Sequence, residues 1–172
     1  QVRAASQRGQ AIGLRIENLP FSSIALLNGY ALGGGLELSL ACTFRLATPN
    51  AIMGFPEIKL GICTGWGGTQ RLPRLIPLQG ALDLLISGRL IDATKANELG
   101  LLHSITDGDP MSATLKFAEQ FTSNSLPAMG LVREAVLRAN EQNLEQGFRT
   151  EADLSTLSYQ LEDSAEGVAA FL

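Results

Sequence analysis

Three consecutive glycines, Gly33-Gly34-Gly35, stand between an apolar run and a helix-like segment carrying a glutamate, Glu37. Glycines at a helix entrance let a ligand approach the backbone, because no side chain blocks the way. The first-turn N–H groups have no intrahelical acceptor, so they favour negative charge, including the charge a carbonyl oxygen gathers during reaction. Glu37 puts a carboxylate three residues beyond the middle glycine. A second glutamate, Glu57, comes 20 residues later in Phe55-Pro56-Glu57-Ile58-Lys59-Leu60-Gly61. Both fall in the first turn of an expected helix, where the backbone dipole favours the ionised form. If the two meet in a partly dry cleft, repulsion and desolvation raise one titration step and leave the other low. One acid and one base at neutral pH suit proton-shuffling chemistry. The alternative for both is an ordinary solvated carboxylate at a helix start, and for the glycines a packing turn.

The elements that must position these groups are legible in part. Residues 3–18 read as a helix with Ala11, Leu14, Ile16 and Leu19 as its apolar positions, ended by Asn18-Leu19-Pro20. Ile24–Asn28 reads as a short buried strand leading at once into a helix over 34–41. Strands are expected at 44–48 and 51–55, a helical turn from Pro56, a glycine-rich loop over 61–68, helices at 69–76 and 78–87, and a helix capped by Asp92 and ended by Gly100. Leu82, Leu85 and Ile86 share one face of the second of these helices. A last strand is expected over 101–105. Helices then occupy 110–124, 127–141, 143–161 and the segment from Asp163. Alternating strands and helices succeeded by helices alone imply a layered α/β core, 1–108, and a helical region, 109–172. No repeat at a fixed period is visible.

Bulk properties exclude several classes. At 45% apolar and 17% charged residues, the 172-residue chain suits a packed domain with a real core. A net charge of −4 with no Lys/Arg block argues against nucleic acid as a partner. No apolar run is long enough for a membrane span, and nothing resembles a secretory signal. Cys42 and Cys63 are expected as buried or free thiols rather than a disulfide. The single histidine, His103, reads as an incidental strand or surface residue, and no ligand cluster suggests a metal.

Four segments together resemble the enoyl-CoA hydratase/isomerase (crotonase) superfamily: Asn28-Gly29-Tyr30-Ala31-Leu32-Gly33-Gly34-Gly35-Leu36-Glu37-Leu38, Gly54-Phe55-Pro56-Glu57-Ile58-Lys59-Leu60-Gly61, Gly67-Gly68-Thr69-Gln70-Arg71-Leu72 and Gly88-Arg89-Leu90-Ile91-Asp92-Ala93. The resemblance implies a crotonase-like spiral of ββα units, present in part, with a carboxy-terminal helical region used for oligomerisation or as a lid. It implies that Glu37 and Glu57 are the catalytic pair, that the Gly34 N–H is one arm of an oxyanion hole, and that Ala31, Leu32, Gly33, Pro56, Gly65 and Trp66 contact substrate. The implied reaction adds water across the double bond of a trans-2-enoyl-CoA, in fatty acid metabolism, with coenzyme A as part of the substrate and no separate cofactor. Double-bond isomerisation is the neighbouring alternative, and a non-catalytic oligomer subunit is another. A homotrimer or dimer of trimers in bacterial cytoplasm or mitochondrial matrix is implied. The family's earlier ββα units, with its second oxyanion donor, and its last residues are expected to lie outside this sequence. Three positions depart from the pattern: Thr43 for a frequent Asp, Thr64 for a frequent Pro, and Trp66 for a small residue. Trp66 either narrows the acyl pocket or fills the core.

Overall fold

A computed structural model describes residues 1–171. The chain divides into two compact units, Gln1–Leu19 with Ser23–Phe117, and Pro20–Ser22 with Ala118–Leu172.

The first unit opens with helix α1, Val2–Glu17. Its packed face is not the expected apolar one. Gly9 and Gly13 are its buried residues, while Leu14 is more than half exposed. The reason is steric: a side chain at Gly9 would strike the Trp66 indole, and one at Gly13 the Arg71 guanidinium. The glycine stripe is the receiving surface for two large side chains.

Two consecutive units of the same design come next. Strand β1, Ile24–Leu27, bends at Asn28-Gly29 into β2, Tyr30–Leu32, and helix α2, Gly34–Leu40. Strand β3, Phe44–Ala47, bends at 48–51 into β4, Ile52–Gly54, and a 3-10 turn, Pro56–Leu60. β1 pairs parallel with β3, and β2 parallel with β4, so the strands form two sheets. The expectation that a helix directly succeeds β1 is therefore corrected, since β2 intervenes. No single sequence period relates the two units. Ile24 pairs with Phe44, an offset of 20, whereas Tyr30 pairs with Ile52, an offset of 22. The second bend is two residues longer, which hides the period.

Helix α3, Gly68–Leu75, packs against α2 and against α4, Leu78–Ser87, which also packs on the 3-10 turn. Strand β5, Leu90–Asp92, which sequence patterning missed, closes antiparallel on β4. Asp92 then caps α5, Ala93–Glu98, by accepting from Lys95 N at 2.7 Å. Strand β6 is only Ser104–Ile105, shorter than the expected run, and pairs with β3. Leu27, Leu36, Met53, Phe55, Leu72, Leu84 and Leu101 fill the core between these layers. Cys42 is partly buried and Cys63 exposed, both free thiols, so neither is a core thiol.

One buried charge ties the layers together. Arg45 on β3 is 3% exposed. Its Nε donates to Leu101 O at 2.9 Å and its Nη1 to Cys42 O at 2.8 Å. Burial pushes its guanidinium below its usual value, with Cys42 acting in the opposite sense. The backbone N–H of Arg45 donates to His103 Nδ1 at 3.2 Å, and the imidazole stands edge-on to Phe44, so His103 has a structural role.

In the second unit, α7, Leu126–Arg138, packs on α8, Leu144–Ser158, and α9 spans Glu162–Phe171. Helix α6, Pro110–Thr122, spans the division between the units. Val132, Val136, Leu144, Phe148 and Phe171 remain exposed. Among the described residues, no helix is long and apolar enough to cross a membrane, and no acidic, Cys or His cluster could hold a metal.

Replacing Arg45 by Met removes the side-chain donor to Leu101 O and Cys42 O and the longer bond to Ser39 O. Arg45→Met is expected to lower unfolding stability by about 3 kcal/mol, read from the urea midpoint at an unchanged slope.

Candidate active site

The parallel β2–β4 ladder sets the position of everything that reacts. Leu32 pairs with Gly54, and Gly33 N continues the ladder by donating to Gly54 O at 3.0 Å. The two strands thus end side by side. β2 leads into Gly33 and the first turn of α2, and β4 leads into Phe55-Pro56-Glu57. Gly33 adopts φ +51°, a conformation few side chains accept, and a Cβ there would run into Glu57 Oε1. Glu57 therefore lies directly against the glycine that opens α2.

Glu37 reaches the same place from within α2. It is 2% exposed, and Oε1 accepts from Trp66 N at 2.8 Å and Gly68 N at 2.7 Å. A buried carboxylate is tolerable here because two backbone N–H groups meet it. A Cβ at Gly68 would stand tightly, 3.1 Å from Glu37 Oε1 and from the Phe55 ring.

Glu57 is held differently. It is half-buried, and its Oε2 is buried with no hydrogen-bond partner. Burial raises its pKa above the ordinary carboxylate value. Its own backbone N–H acts the other way, and the charge of Glu37 raises it further. The two carboxyls are thus close enough to interact and unequal in environment, one pinned and one loose.

The glycine loop that binds Glu37 is itself braced by α1. Arg71 Nε and Nη2 donate to the two oxygens of Glu17 at 2.6 and 2.8 Å, and Nη1 to Trp66 O at 2.9 Å. Gln10 Nε2 donates to Gly65 O at 2.9 Å. Gly67, at φ +117°, leaves room for Arg71. This bracing role of Ser6, Gly9, Gln10, Gly13 and Glu17 escaped sequence reasoning. Their spacing of three and four along a helix was the available signal.

Glu57 borders a cavity of about 520 Å³. Phe55, Ile62, Cys63, Thr64 and Thr69 line one part, and the expected face of α4, Leu82, Leu85 and Ile86, another. Of the other anticipated contacts, Gly33 and Gly34 stand at the α2 entrance, Pro56 precedes Glu57, and Ala31 packs on the core. Leu32 is the last residue of β2, and Gly65 faces Ser6 of α1. Trp66 does not line the cavity and, at 36% exposed, does not fill the core. Its ring lies between Gly9 and Gly34, 3.0 Å from where a Gly34 Cβ would be. Two glycines leave the indole a slot beside the entrance of α2.

Residues 3–172 match the family described as enoyl-CoA hydratase/isomerase. The chain belongs to this family. It is 42% identical over 150 residues to a probable enoyl-CoA hydratase of Rhizobium meliloti, covering 87% of this chain and 58% of that protein. A crotonyl-CoA hydratase of Syntrophomonas wolfei is 36% identical over 173 residues, covering 100% of this chain and 66% of the relative. The crystal structure of an enoyl-CoA hydratase from Bacillus anthracis superposes with a TM-score of 0.92 at 39% identity, over 99% of this chain and 67% of that one. The crotonase-like α/β fold with its helical carboxy-terminal region is thereby established. The chain spans roughly three fifths to two thirds of the length of these relatives.

The raised pKa of Glu57 has a stability consequence with a definite sign. Below the unfolded-state pKa, folded and unfolded chains both hold the proton, and the group contributes nothing. As pH rises from the unfolded to the folded value, only the folded chain retains it, so stability falls. Glu57→Gln removes that fall. The variant is expected to gain melting temperature over the parent at pH 7 and to differ little from it at about pH 4, measured by thermal unfolding at both pH values.

Proposed function

We propose that the protein is an enoyl-CoA hydratase, adding water across the double bond of a trans-2-enoyl-CoA to give the 3-hydroxyacyl-CoA. The observation that carries this reading is the unequal glutamate pair at the end of the β2–β4 ladder, Glu37 pinned by Trp66 N and Gly68 N and Glu57 unpinned beside the cavity. The names of the relatives support the same reaction class.

In this mechanism the acyl chain lies against Leu82, Leu85 and Ile86, with the thioester carbonyl at the entrance of α2. The Gly34 N–H is one donor to the oxygen on which enolate charge develops. Gly33, Leu32, Ala31 and Pro56 belong to the backbone around that entrance, and Gly65 and Trp66 contact the substrate from the glycine loop beside it. Glu37 and Glu57 hold the attacking water. Its oxygen bonds to C3 as the C2=C3 electron pair moves toward the thioester, and a proton from Glu57 then joins C2. The proton lost by the water returns to the carboxylate pair, which ends with the proton count it began with. Two carboxyls of equal strength would not divide the roles of acid and base; the difference in environment supplies the asymmetry. No cofactor enters the scheme.

The exposed apolar side chains of α7 to α9, among them Val132, Val136 and Phe171, support assembly through residues 109–172 as a homotrimer or dimer of trimers.

The test is turnover of crotonyl-CoA by the purified protein, monitored as loss of the conjugated thioester absorbance. Glu37→Gln and Glu57→Gln are each expected to slow hydration by about 100- to 10,000-fold while the protein stays folded. A folded protein that leaves crotonyl-CoA unchanged overturns the reading. Conversion of a 3-enoyl-CoA without water uptake, in place of hydration, transfers the assignment to isomerisation.

A further inference from the structure

The first turn of α3 carries Arg71, a charged side chain that the mechanism leaves unused. It is 12% exposed and does not line the cavity. A cation held that far from water is costly unless its donors are met. Nε and Nη2 grip both oxygens of Glu17, itself 26% exposed, and Nη1 donates to Trp66 O.

The two N–H groups that meet Glu37 belong to peptide groups fixed from behind. In the peptide joining Gly65 to Trp66, the N–H donates to Glu37 Oε1 and the carbonyl accepts from Gln10. In the peptide joining Gly67 to Gly68, the N–H donates to the same oxygen and the carbonyl accepts from Arg71 N at 2.8 Å. The carbonyl of the intervening peptide is the one the guanidinium holds. Hydrogen bonds in series polarise one another, so a cation at the far end strengthens the donors at the near end.

Charge follows the same path. The Glu17 hydrogen bond raises the Arg71 guanidinium above its usual value, burial opposes this, and the charges of Glu17 and then Glu37 raise it further. The attraction between Arg71 and Glu37 is mutual, and Glu37 acts in turn on Glu57. Other charges on the neighbouring helices are engaged elsewhere. Arg74 of α3 donates to Gln70 O, and Asp83 of α4 pairs with Arg89.

We propose that Arg71 is a positioning residue for hydration, whose guanidinium compensates the buried charge of Glu37 through the 66–68 peptides while Glu17 moderates that pull. Its place in the reaction rests on the hydratase reading. The balance of charge at Glu37 rests on the geometry alone.

Trp66 is the single tryptophan, with its N–H on Glu37 and its carbonyl on Arg71, so its fluorescence reports protonation there without substrate. The experiment is an acid titration of that fluorescence in the folded protein, the transition of interest being the one that Glu37→Gln removes. Arg71→Met leaves Glu17 uncompensated and is expected to move the transition up by about 0.5 to 1 pH unit. Glu17→Gln keeps an acceptor for the guanidinium but removes the opposing charge, and is expected to move it down. The double variant carries neither charge and is expected to lie within about 0.3 unit of the parent. In crotonyl-CoA turnover the acid limb of kcat/KM is expected to follow the same order. Arg71→Met is expected to lower kcat about 10- to 100-fold with KM within about twofold. Shifts of one sign in both single variants, no shift in either, no transition removed by Glu37→Gln, or a raised KM at unchanged kcat each overturn the proposal. If Arg71→Met does not fold, Glu17→Gln decides alone: a downward shift supports the proposal and any other result overturns it. The two readings fail separately. Absence of turnover beside opposed shifts overturns the hydratase assignment and leaves the charge balance at Glu37, whereas turnover without opposed shifts overturns only the role of Arg71.

Discussion

The site depends on one backbone constraint, the parallel pairing of β2 with β4. Parallel strands run to the same edge, so the segments leaving them must share that edge. With Leu32 opposite Gly54 and Gly33 N bonded to Gly54 O, the entrance of α2 and the turn bearing Glu57 have no freedom to separate. A slip of one residue would reverse every side chain of a strand. It would turn Met53, now fully buried, out of the core, and Phe55 just beyond the strand would lose its place with it. The hydrophobic core and the juxtaposition of the glutamates are therefore secured by the same register.

Around that edge, space is made by missing side chains. Gly33 admits Glu57, Gly68 admits Glu37, Gly67 admits Arg71, and Gly9 with Gly34 admit Trp66. Each is a contact that a methyl group would obstruct. The carboxylate of Glu37 is tolerated in the interior because the loop turns two N–H groups toward it, and the loop is able to do so because α1 braces it through Glu17 and Gln10. The bracing ion pair is partly shielded from solvent, which makes it less sensitive to salt than a surface pair.

Much of this was legible in the residues. The helix that opens after the glycine run, the helix starts at Pro56 and Asp92, and the shared face of α4 all read correctly, because each is a local signal with a local cause. The misses share a different cause. β2 and β5 are three residues each, too short for a period-2 pattern to register, and their identity comes only from pairing. The face of α1 was misjudged because its partner surface is made of Trp66 and Arg71, distant in sequence, which reward glycine where a core would reward leucine. The placement of Trp66 depended on two glycines from separate elements and had no local signature.

The two bends and two parallel pairings amount to one piece of architecture used twice, and it brings the segments bearing the glutamates to one edge. Their inequality comes from what each copy builds afterwards. The first continues into an α-helix that carries its acid inward, beneath a loop. The second stops in a single 3-10 turn that leaves its acid at a rim. The paired strands supply a common edge, and the difference in winding after them sorts two chemically identical side chains into separate offices.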